Sequence, residues 1–216
     1  MEVAYFALPV LALAASWFVF RLRRARFRDA VKAVARRRQG RVVDGFPLAY
    51  PWLDVDLEDG KLLVTGWMGN RNGGRAARTV AQVTSPRFSK AEFLIERKPR
   101  RVGVLERVGR QDAETGDSEF DDVFWARGPA GELLARREIR RALLAFDARL
   151  GVRVRFGSAP VFKDGRVNPR ANVARLELSI RSLPPTAEEV ERLVDAACAL
   201  HAVLAAGARR ELHRAA

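Results

Sequence analysis

The chain opens with a long apolar stretch that contains no charged side chain. It runs from Val3 to Phe20, and arginines follow it at once. Eighteen residues at about 1.5 Å each make a helix of roughly 27 Å, close to the roughly 30 Å hydrocarbon core of a bilayer. Aromatic rings such as Trp17 lie near the ends of the stretch, where such rings settle at membrane interfaces. A lone proline such as Pro9 is tolerated within a spanning helix. We therefore predict a transmembrane anchor over residues 1–20.

A cleaved secretory signal is the alternative interpretation of this stretch. Such a signal has basic residues before its apolar run and small residues after it. This chain instead has Glu2 before the run and five arginines within the eight residues that follow it. Because basic residues flank the cytoplasmic end of a spanning helix, we expect a single-pass topology with a short N-terminus outside and the C-terminal domain in the cytoplasm. The expected location is the cell (inner) membrane.

Residues 21–41 are rich in arginine and keep a helical pattern. They contain ten Lys or Arg and one acid, Asp29, so they account for +9 of the net charge of +13. We predict a basic juxtamembrane helix that ends near Gly40. Each arginine close to an anionic leaflet contributes about 1 kcal/mol to lipid binding. The residues expected to contact lipid headgroups are Arg21, Arg23, Arg24, Arg26 and Arg28.

Alternation of polar and apolar residues then predicts β-structure. Trp52 to Glu58 alternates, an Asp59-Gly60 turn follows, and Lys61 to Thr65 continues the pattern. Alternation around an Asp-Gly pair is the strongest short-range signal of a hairpin. Residues 42–110 are therefore predicted to be an antiparallel strand meander. Its further strand candidates are Arg78 to Thr84 and Phe93 to Ile95.

The second half, residues 111–216, has a strand, helix, hairpin and helix pattern. Thr186 and Glu189 form a capping box that starts a long C-terminal helix. The predicted fold class is α+β: an N-terminal transmembrane helix, then an antiparallel strand-rich domain with two packed helices, one central and one C-terminal. We expect one domain, and whether its halves share one sheet is open. The other predicted elements are strands at Val123–Ala126, Val152–Phe156 and Leu176–Ile180 and a helix at Glu132–Phe146.

Composition narrows the function classes. Most of the net charge lies in residues 21–41, so the rest of the chain is only mildly basic and nucleic acid is not expected as a partner. The single cysteine, Cys198, excludes an intramolecular disulfide framework and is typical of a reducing compartment.

The candidate metal and phosphate sites each miss a required feature. The acidic run Asp54 to Asp59 lacks the glycine and the glutamate that an EF-hand requires at its sixth and twelfth places. Gly69 to Arg75 is glycine-rich but matches neither phosphate-binding pattern. Cys198 and His201 lie three apart on the predicted C-terminal helix, where packing is the expected role because a zinc site needs two more ligands. We predict no catalytic residue, no metal site and no cofactor.

An acidic block between the two halves carries a recognisable pattern. It reads Thr115-Gly116-Asp117-Ser118-Glu119-Phe120-Asp121-Asp122-Val123-Phe124, and Gly128-Pro129 and a leucine-rich helix follow it. This TGDxxFDxxF pattern resembles an uncharacterised bacterial family of membrane-anchored proteins. The resemblance covers about Arg110 to Ile180 and implies a membrane-tethered α+β domain with no established activity. The family's Thr-Pro helix start is replaced here by Ala135-Arg136, which removes a helix cap.

Two interpretations of this motif are open. In the structural one, Asp117 and Asp121 cap turns or pair with basic residues, while Phe120 and Phe124 enter the core. In the functional one, the motif is a site for a partner or a ligand. The residues concerned are Thr115, Gly116, Asp117, Phe120, Asp121 and Phe124.

The sequence thus favours a non-catalytic protein-binding or scaffolding module at the inner membrane, with an unidentified protein partner. The alternative is a metal- or phosphate-dependent enzyme that uses the acidic segment Asp117 to Asp122. A pocket that gathers these carboxylates favours the enzyme, whereas carboxylates held in turns and salt bridges favour the binding module. Nucleic-acid binding, a third hypothesis, requires a continuous arginine face with interleaved aromatic rings.

Overall fold

A long helix lies at each end of the chain, with strands and short helices between them. The computed structural model describes residues 3–67, 77–88, 91–98, 114–163 and 166–215, with side chains described outside 3–8, 159–173 and 208–215. The helices are α1 (Val3–Arg38), α2 (Ser118–Val123), α3 (Gly131–Leu134), α4 (Arg137–Leu144) and α5 (Ala187–Ala215), with a 3₁₀ turn at Ala148–Leu150. The strands are β1 (Arg41–Val43), β2 (Trp52–Leu57), β3 (Gly60–Trp67), β4 (Arg78–Thr84), β5 (Phe93–Arg97), β6 (Phe124–Arg127), β7 (Arg153–Lys163) and β8 (Arg166–Ile180).

The strands of the described residues form one antiparallel sheet of eight, in the order β1-β2-β3-β4-β8-β7-β5-β6. Strands β1 to β4 form a meander, in which β2 and β3 pair around the predicted Asp59-Gly60 turn. The β7–β8 hairpin is inserted between β4 and β5, so Thr79 lies opposite Ile180 and Ile95 lies opposite Val154. Strands from both halves of the sequence therefore share one sheet.

One face of this sheet is apolar because successive strand residues point to opposite faces. A row of buried residues crosses seven strands at a single level of the register. Fully burying an aliphatic side chain contributes about 1.5–3 kcal/mol, so this face supplies much of the stability of the fold. The row consists of Leu53, Val64, Ala81, Leu178, Val154, Ile95 and Ala126.

Helices α1 and α5 cover the apolar face and contact each other. Their buried residues recur every three or four positions, which places them on one side of each helix. The guanidinium of Arg38, in the last turn of α1, donates to Glu191 at 3.0 Å and to Asp195, both on α5. The buried positions are Phe27, Ala30, Val31, Val34 and Ala35 on α1 and Val190, Leu193, Val194, Ala197 and Leu200 on α5.

The start of α5 has the predicted capping box. The Glu189 N–H donates to the Thr186 hydroxyl oxygen at 3.1 Å, and the Thr186 N–H donates to the Glu189 carboxylate at 2.9 Å. These two bonds satisfy backbone donors that have no partner within the helix, and they fix where α5 leaves the sheet.

The predicted transmembrane anchor at residues 1–20 is wrong. Among the described residues, no helix combines the length and the apolar character needed to cross a membrane. The helix that contains the stretch continues through the arginines to Arg38, and Phe27, Val31 and Val34 in its later half are fully buried against the sheet and α5. This finding also overturns the transmembrane part of the predicted fold class and the single-pass inner-membrane location with its outside N-terminus.

Two local elements also differ from their predictions. The acidic block was expected to form a turn and a strand, but Ser118–Val123 is a short helix, so the strand starts at Phe124. The helix predicted over Glu132–Phe146 is divided into α3 and α4, because Arg136 has an extended backbone and its side chain makes no cap hydrogen bond. The absence of a capping side chain at Arg136 therefore coincides with a break in the helix.

The packing of α1 on the sheet generates a stability prediction. Phe27 is fully buried and its ring meets Tyr50 edge-on at 5.2 Å, whereas Phe18 on the same helix is 62% exposed. We expect Phe27→Ala to lower the free energy of unfolding by about 3–5 kcal/mol, through lost burial and the cavity left behind. Phe18→Ala is the matched control and should change it by less than about 0.5 kcal/mol. Urea denaturation followed by circular dichroism measures both, and equal effects would contradict this packing.

Candidate functional site

The Asp121 carboxylate gathers the start of the acidic block into a closed turn. It accepts a bifurcated hydrogen bond from the Thr115 N–H, with both distances 3.1 Å, and one from the Thr115 hydroxyl at 2.8 Å. The Gly116 N–H, at a residue with φ of 75°, donates to the same carboxylate at 3.1 Å. A carboxylate bound in this way has an internal structural role, since it satisfies the donors of the turn.

Asp117 connects this turn to the next helices. Its side chain caps α2 by accepting from the Phe120 N–H at 3.3 Å, and it accepts from the Arg140 Nε–H on α4 at 2.7 Å. The Arg140 guanidinium and the Phe120 N–H hold the pKa of Asp117 below its usual value. Arg140 also donates to the Leu134 carbonyl at the end of α3, so one guanidinium joins α2, α3 and α4.

The two aromatic residues of the motif anchor it in the core. Phe120 and Phe124 are buried and stack with ring centroids 4.8 Å apart. The Arg97 guanidinium lies 5.6 Å from the Phe124 ring and donates to the Phe146 carbonyl at 2.9 Å. These contacts fix the entry of the chain into β6, as the structural interpretation of the motif expects.

The motif carboxylates do not gather in a pocket. Asp117 and Asp121 are held within the turn, while Asp122 on the same short helix is exposed. Within the described ranges, no group of three or more His, Cys, Asp or Glu side chains could hold a metal ion. The arrangement therefore supplies turn and helix stabilisation at Asp117 and Asp121.

The sheet face opposite the helices is polar, and its charges are unevenly distributed. On β2, Asp54 forms salt bridges with Lys61 at 3.0 Å and with Arg41 at 3.5 Å. At the other end, five arginines on β4, β6, β7 and β8 form what we call the arginine face. Its members are Arg78, Arg127, Arg153, Arg155 and Arg175.

An open cleft of about 430 Å³ lies on the arginine face between β6, β5 and β7. Arg127 and Arg155 lie in one register row with Leu94 between them, and Arg153 lines the same cleft. The Glu92 carboxylate stands at its rim, where it accepts a hydrogen bond from the Ser158 N–H at 3.4 Å. Guanidinium groups in this geometry can bind carboxylate or phosphate oxygens bidentately.

Positive charge is in excess on the arginine face. Burial lowers the pKa of Arg78, and the nearby guanidiniums of Arg181 and Arg153 lower it further. Burial is also the main cause that lowers the pKa of Arg175. The excess positive charge is only partly neutralised within the face, by contacts such as Arg153 to Glu96 at 3.7 Å. Such a surface attracts anions.

The arginines predicted to contact lipid have several roles within α1. Arg24 donates to the Ala49 carbonyl at 2.9 Å, and Arg28 forms a 2.5 Å salt bridge with Asp44, so both hold the loop between β1 and β2. The Arg21 guanidinium lies 5.9 Å from the Trp17 ring. Arg23 and Arg26 are exposed. Headgroup contact by these arginines stays a prediction.

The residues predicted to mark the anchor differ in their surroundings. Phe20 is half-buried, with its ring 5.6 Å from that of Tyr50. Trp17 and Pro9 are exposed, and the side chain of Val3 lies outside the described part.

The other sequence candidates do not form a site. Cys198 is half-buried and His201 is buried on α5, where the His201 ring meets Phe88 edge-on at 5.6 Å. Burial lowers the pKa of His201 and so favours the neutral form of its ring. The glycine-rich segment Gly69 to Arg75 lies outside the described residues.

Sequence reasoning missed the arginine face. The alternation of Arg153 and Arg155 with buried Val154 and Phe156 is visible in the sequence and places both arginines on one side of a strand. Arg127, however, belongs to β6, and the local sequence pattern does not show that β6 pairs with β5. The cleft could therefore not be predicted from the sequence.

The Asp121 turn generates a matched pair of substitutions. We expect Asp121→Ala to lower the free energy of unfolding by about 1–3 kcal/mol, because it leaves the donors of Thr115 and Gly116 without their acceptor. Asp122→Ala on the same helix should change it by less than about 0.5 kcal/mol, since Asp122 is exposed. Chemical denaturation measures both, and a larger loss for Asp122→Ala would contradict the structural role of the turn.

The lowered pKa of Asp117 generates a pH dependence. Because this pKa is lower in the folded than in the unfolded chain, the unfolded chain takes up the proton first as the pH falls. The stabilisation by ionised Asp117 is therefore full above about pH 5 and is lost as the pH falls through the folded pKa. Asp117→Asn keeps a capping side chain and removes the charge beside Arg140.

The measurement is the denaturation midpoint of the wild type and of Asp117→Asn between pH 3 and pH 7. The difference between them should be largest near neutral pH and shrink in acid. A difference that is constant over this range would contradict the assigned charge interaction.

Comparison with known proteins supplies no relative for this chain: no protein-family model, no curated protein and no solved structure matches it. The likeness of the TGDxxFDxxF block to an uncharacterised bacterial family stays a prediction.

Proposed function

We propose that this protein is a non-catalytic protein-binding or scaffolding module. The observation that carries the proposal is the use of the motif carboxylates. Asp117 and Asp121 are bound by Arg140, Thr115 and Gly116, so the acids on which an enzyme would depend serve the fold instead.

The composition of the cleft supports binding over catalysis. A guanidinium stays protonated at all ordinary pH values, so it binds and orients anions but does not cycle a proton as a general base. The cleft lining has three arginines and one carboxylate, Glu92, and it includes no Ser, Thr, Cys, His or Lys among the described residues. The lining is thus dominated by groups that recognise anions, and its one carboxylate, Glu92, accepts a hydrogen bond from the Ser158 N–H.

Affinity capture tests the proposal. The tagged 216-residue chain, after gentle extraction from its native cells, should recover at least one protein reproducibly, and the purified pair should co-elute on size exclusion. Asp122→Asn is the control, because it alters an exposed acid of the segment that the enzyme hypothesis uses. Capture should not change with this variant.

The contrary result is equally specific. Replicate captures without a reproducible partner, together with a metal- or phosphate-dependent turnover that Asp122→Asn abolishes, would favour the enzyme hypothesis and overturn the proposed function.

A further inference from the structure

Two guanidiniums flank one apolar side chain at the floor of the cleft. Arg127, Leu94 and Arg155 are register partners on β6, β5 and β7. Adjacent strands lie about 4.8 Å apart, so the two arginines start from backbone positions roughly 10 Å apart. Arg155 is exposed, Arg127 is half-buried, and neither forms an ion pair with a residue in the part of the chain that the structure describes.

We propose that the arginine face binds an acidic peptide segment of a protein partner, whose carboxylates pair with Arg127 and Arg155. The inference rests on the proposed function, because it names the chemistry of the partner. Charge complementarity supports it, because the five arginines of the arginine face outnumber the three carboxylates beside them, Glu92, Glu96 and Glu177.

The spacing of the arginines also limits the form of the ligand. In a polyproline II segment, residues i and i+3 lie on the same side and about 9.3 Å apart. Two glutamates with this spacing match the roughly 10 Å between the arginine backbones, and the residues between them can contact Leu94. The sequence Glu-x-x-Glu with an apolar residue at one x is therefore the preferred pattern.

A nucleic-acid strand fits this face less well. Its backbone charge is uniformly negative, and on this face it would meet Glu96, beside Arg153, and Glu177, beside Arg155 in the register. Base stacking also requires exposed aromatic rings, whereas Trp125, in the row of Arg153 and Glu96, is 7% exposed. A peptide with spaced acids avoids both conflicts.

Fluorescence anisotropy on the 216-residue chain tests the inference. The probe is a fluorescein-labelled peptide, Gly-Glu-Pro-Leu-Glu-Pro-Leu-Glu-Gly, with a second peptide in which Gln replaces every Glu and a nine-nucleotide oligothymidine as comparisons. We expect the Glu peptide to bind most tightly and its affinity to fall with added salt. Arg127→Gln with Arg155→Gln should weaken binding by about tenfold or more, since both charge-assisted pairs are removed.

A double variant with the same loss of charge is the control. Arg36→Gln with Arg137→Gln alters exposed arginines on α1 and α4, away from the cleft, and binding should stay within about twofold. Replacing Arg127 and Arg155 by Lys keeps the charge but loses the bidentate geometry, so it should give an intermediate affinity. Circular dichroism of each variant confirms that the fold is retained.

Three results would overturn the inference: tighter binding of the oligothymidine than of the Glu peptide, equal binding of the Glu and Gln peptides, or equal losses in the two double variants. Each is distinguishable from failure of the proposed function. A partner captured equally well by the Arg127→Gln/Arg155→Gln chain would leave the binding module in place and remove only the acidic-segment site. Specific peptide binding without any captured partner would support the site and weaken the module.

Discussion

The fold depends on keeping one face of an eight-stranded sheet away from water. The sheet is assembled from strands of both halves of the sequence, and the first and last helices cover it together. Arg38 near the end of α1 meets Glu191 and Asp195 on α5, so residues about 155 positions apart close the same layer. Because strand residues alternate between faces, burying one face under two helices leaves the charged residues on the other. The arginine face is thus a consequence of how the core is closed.

The acidic turn acts on that face through β6. Asp121 closes the turn, and Phe120 and Phe124 fix the chain in the core directly before the strand. Three residues after Phe124 the strand reaches Arg127, at the edge of the sheet. A side chain at the end of a short edge strand is only as well placed as the start of that strand, so the motif helps to position Arg127. The acidic motif and the arginine face are thus connected through β6.

Local patterns could be predicted from the sequence because the interactions that determine them are local. The Asp59-Gly60 hairpin and the Thr186 and Glu189 capping box each involve residues a few positions apart. The insertion of the β7–β8 hairpin between β4 and β5 could not be predicted in this way, because strand partners such as Thr79 and Ile180 are far apart in the sequence. The same limit applies to the site: alternation places Arg153 and Arg155 on one side of a strand, but their meeting with Arg127 depends on the strand order. The apolar stretch before Arg21 was wrongly predicted to cross a membrane, because the prediction rested on its apolar character and its flanking charges and could not take the packing of the same helix into account.

The break between α3 and α4 shows how contacts from a distant side chain hold helix ends where a local cap is absent. Arg136 has an extended backbone, and its side chain makes no cap hydrogen bond. The single helix that the leucine pattern predicts is therefore interrupted at this residue. Arg140, one turn into α4, donates to the Leu134 carbonyl at the end of α3 and to Asp117 at the start of α2. A guanidinium has five donors in a rigid plane, which a lysine cannot reproduce, and this allows one side chain of α4 to hold two helix ends, the start of α2 and the end of α3. The acidic motif and the helix break are therefore two parts of one arrangement, since the charge that caps α2 also supplies the partner that orients Arg140.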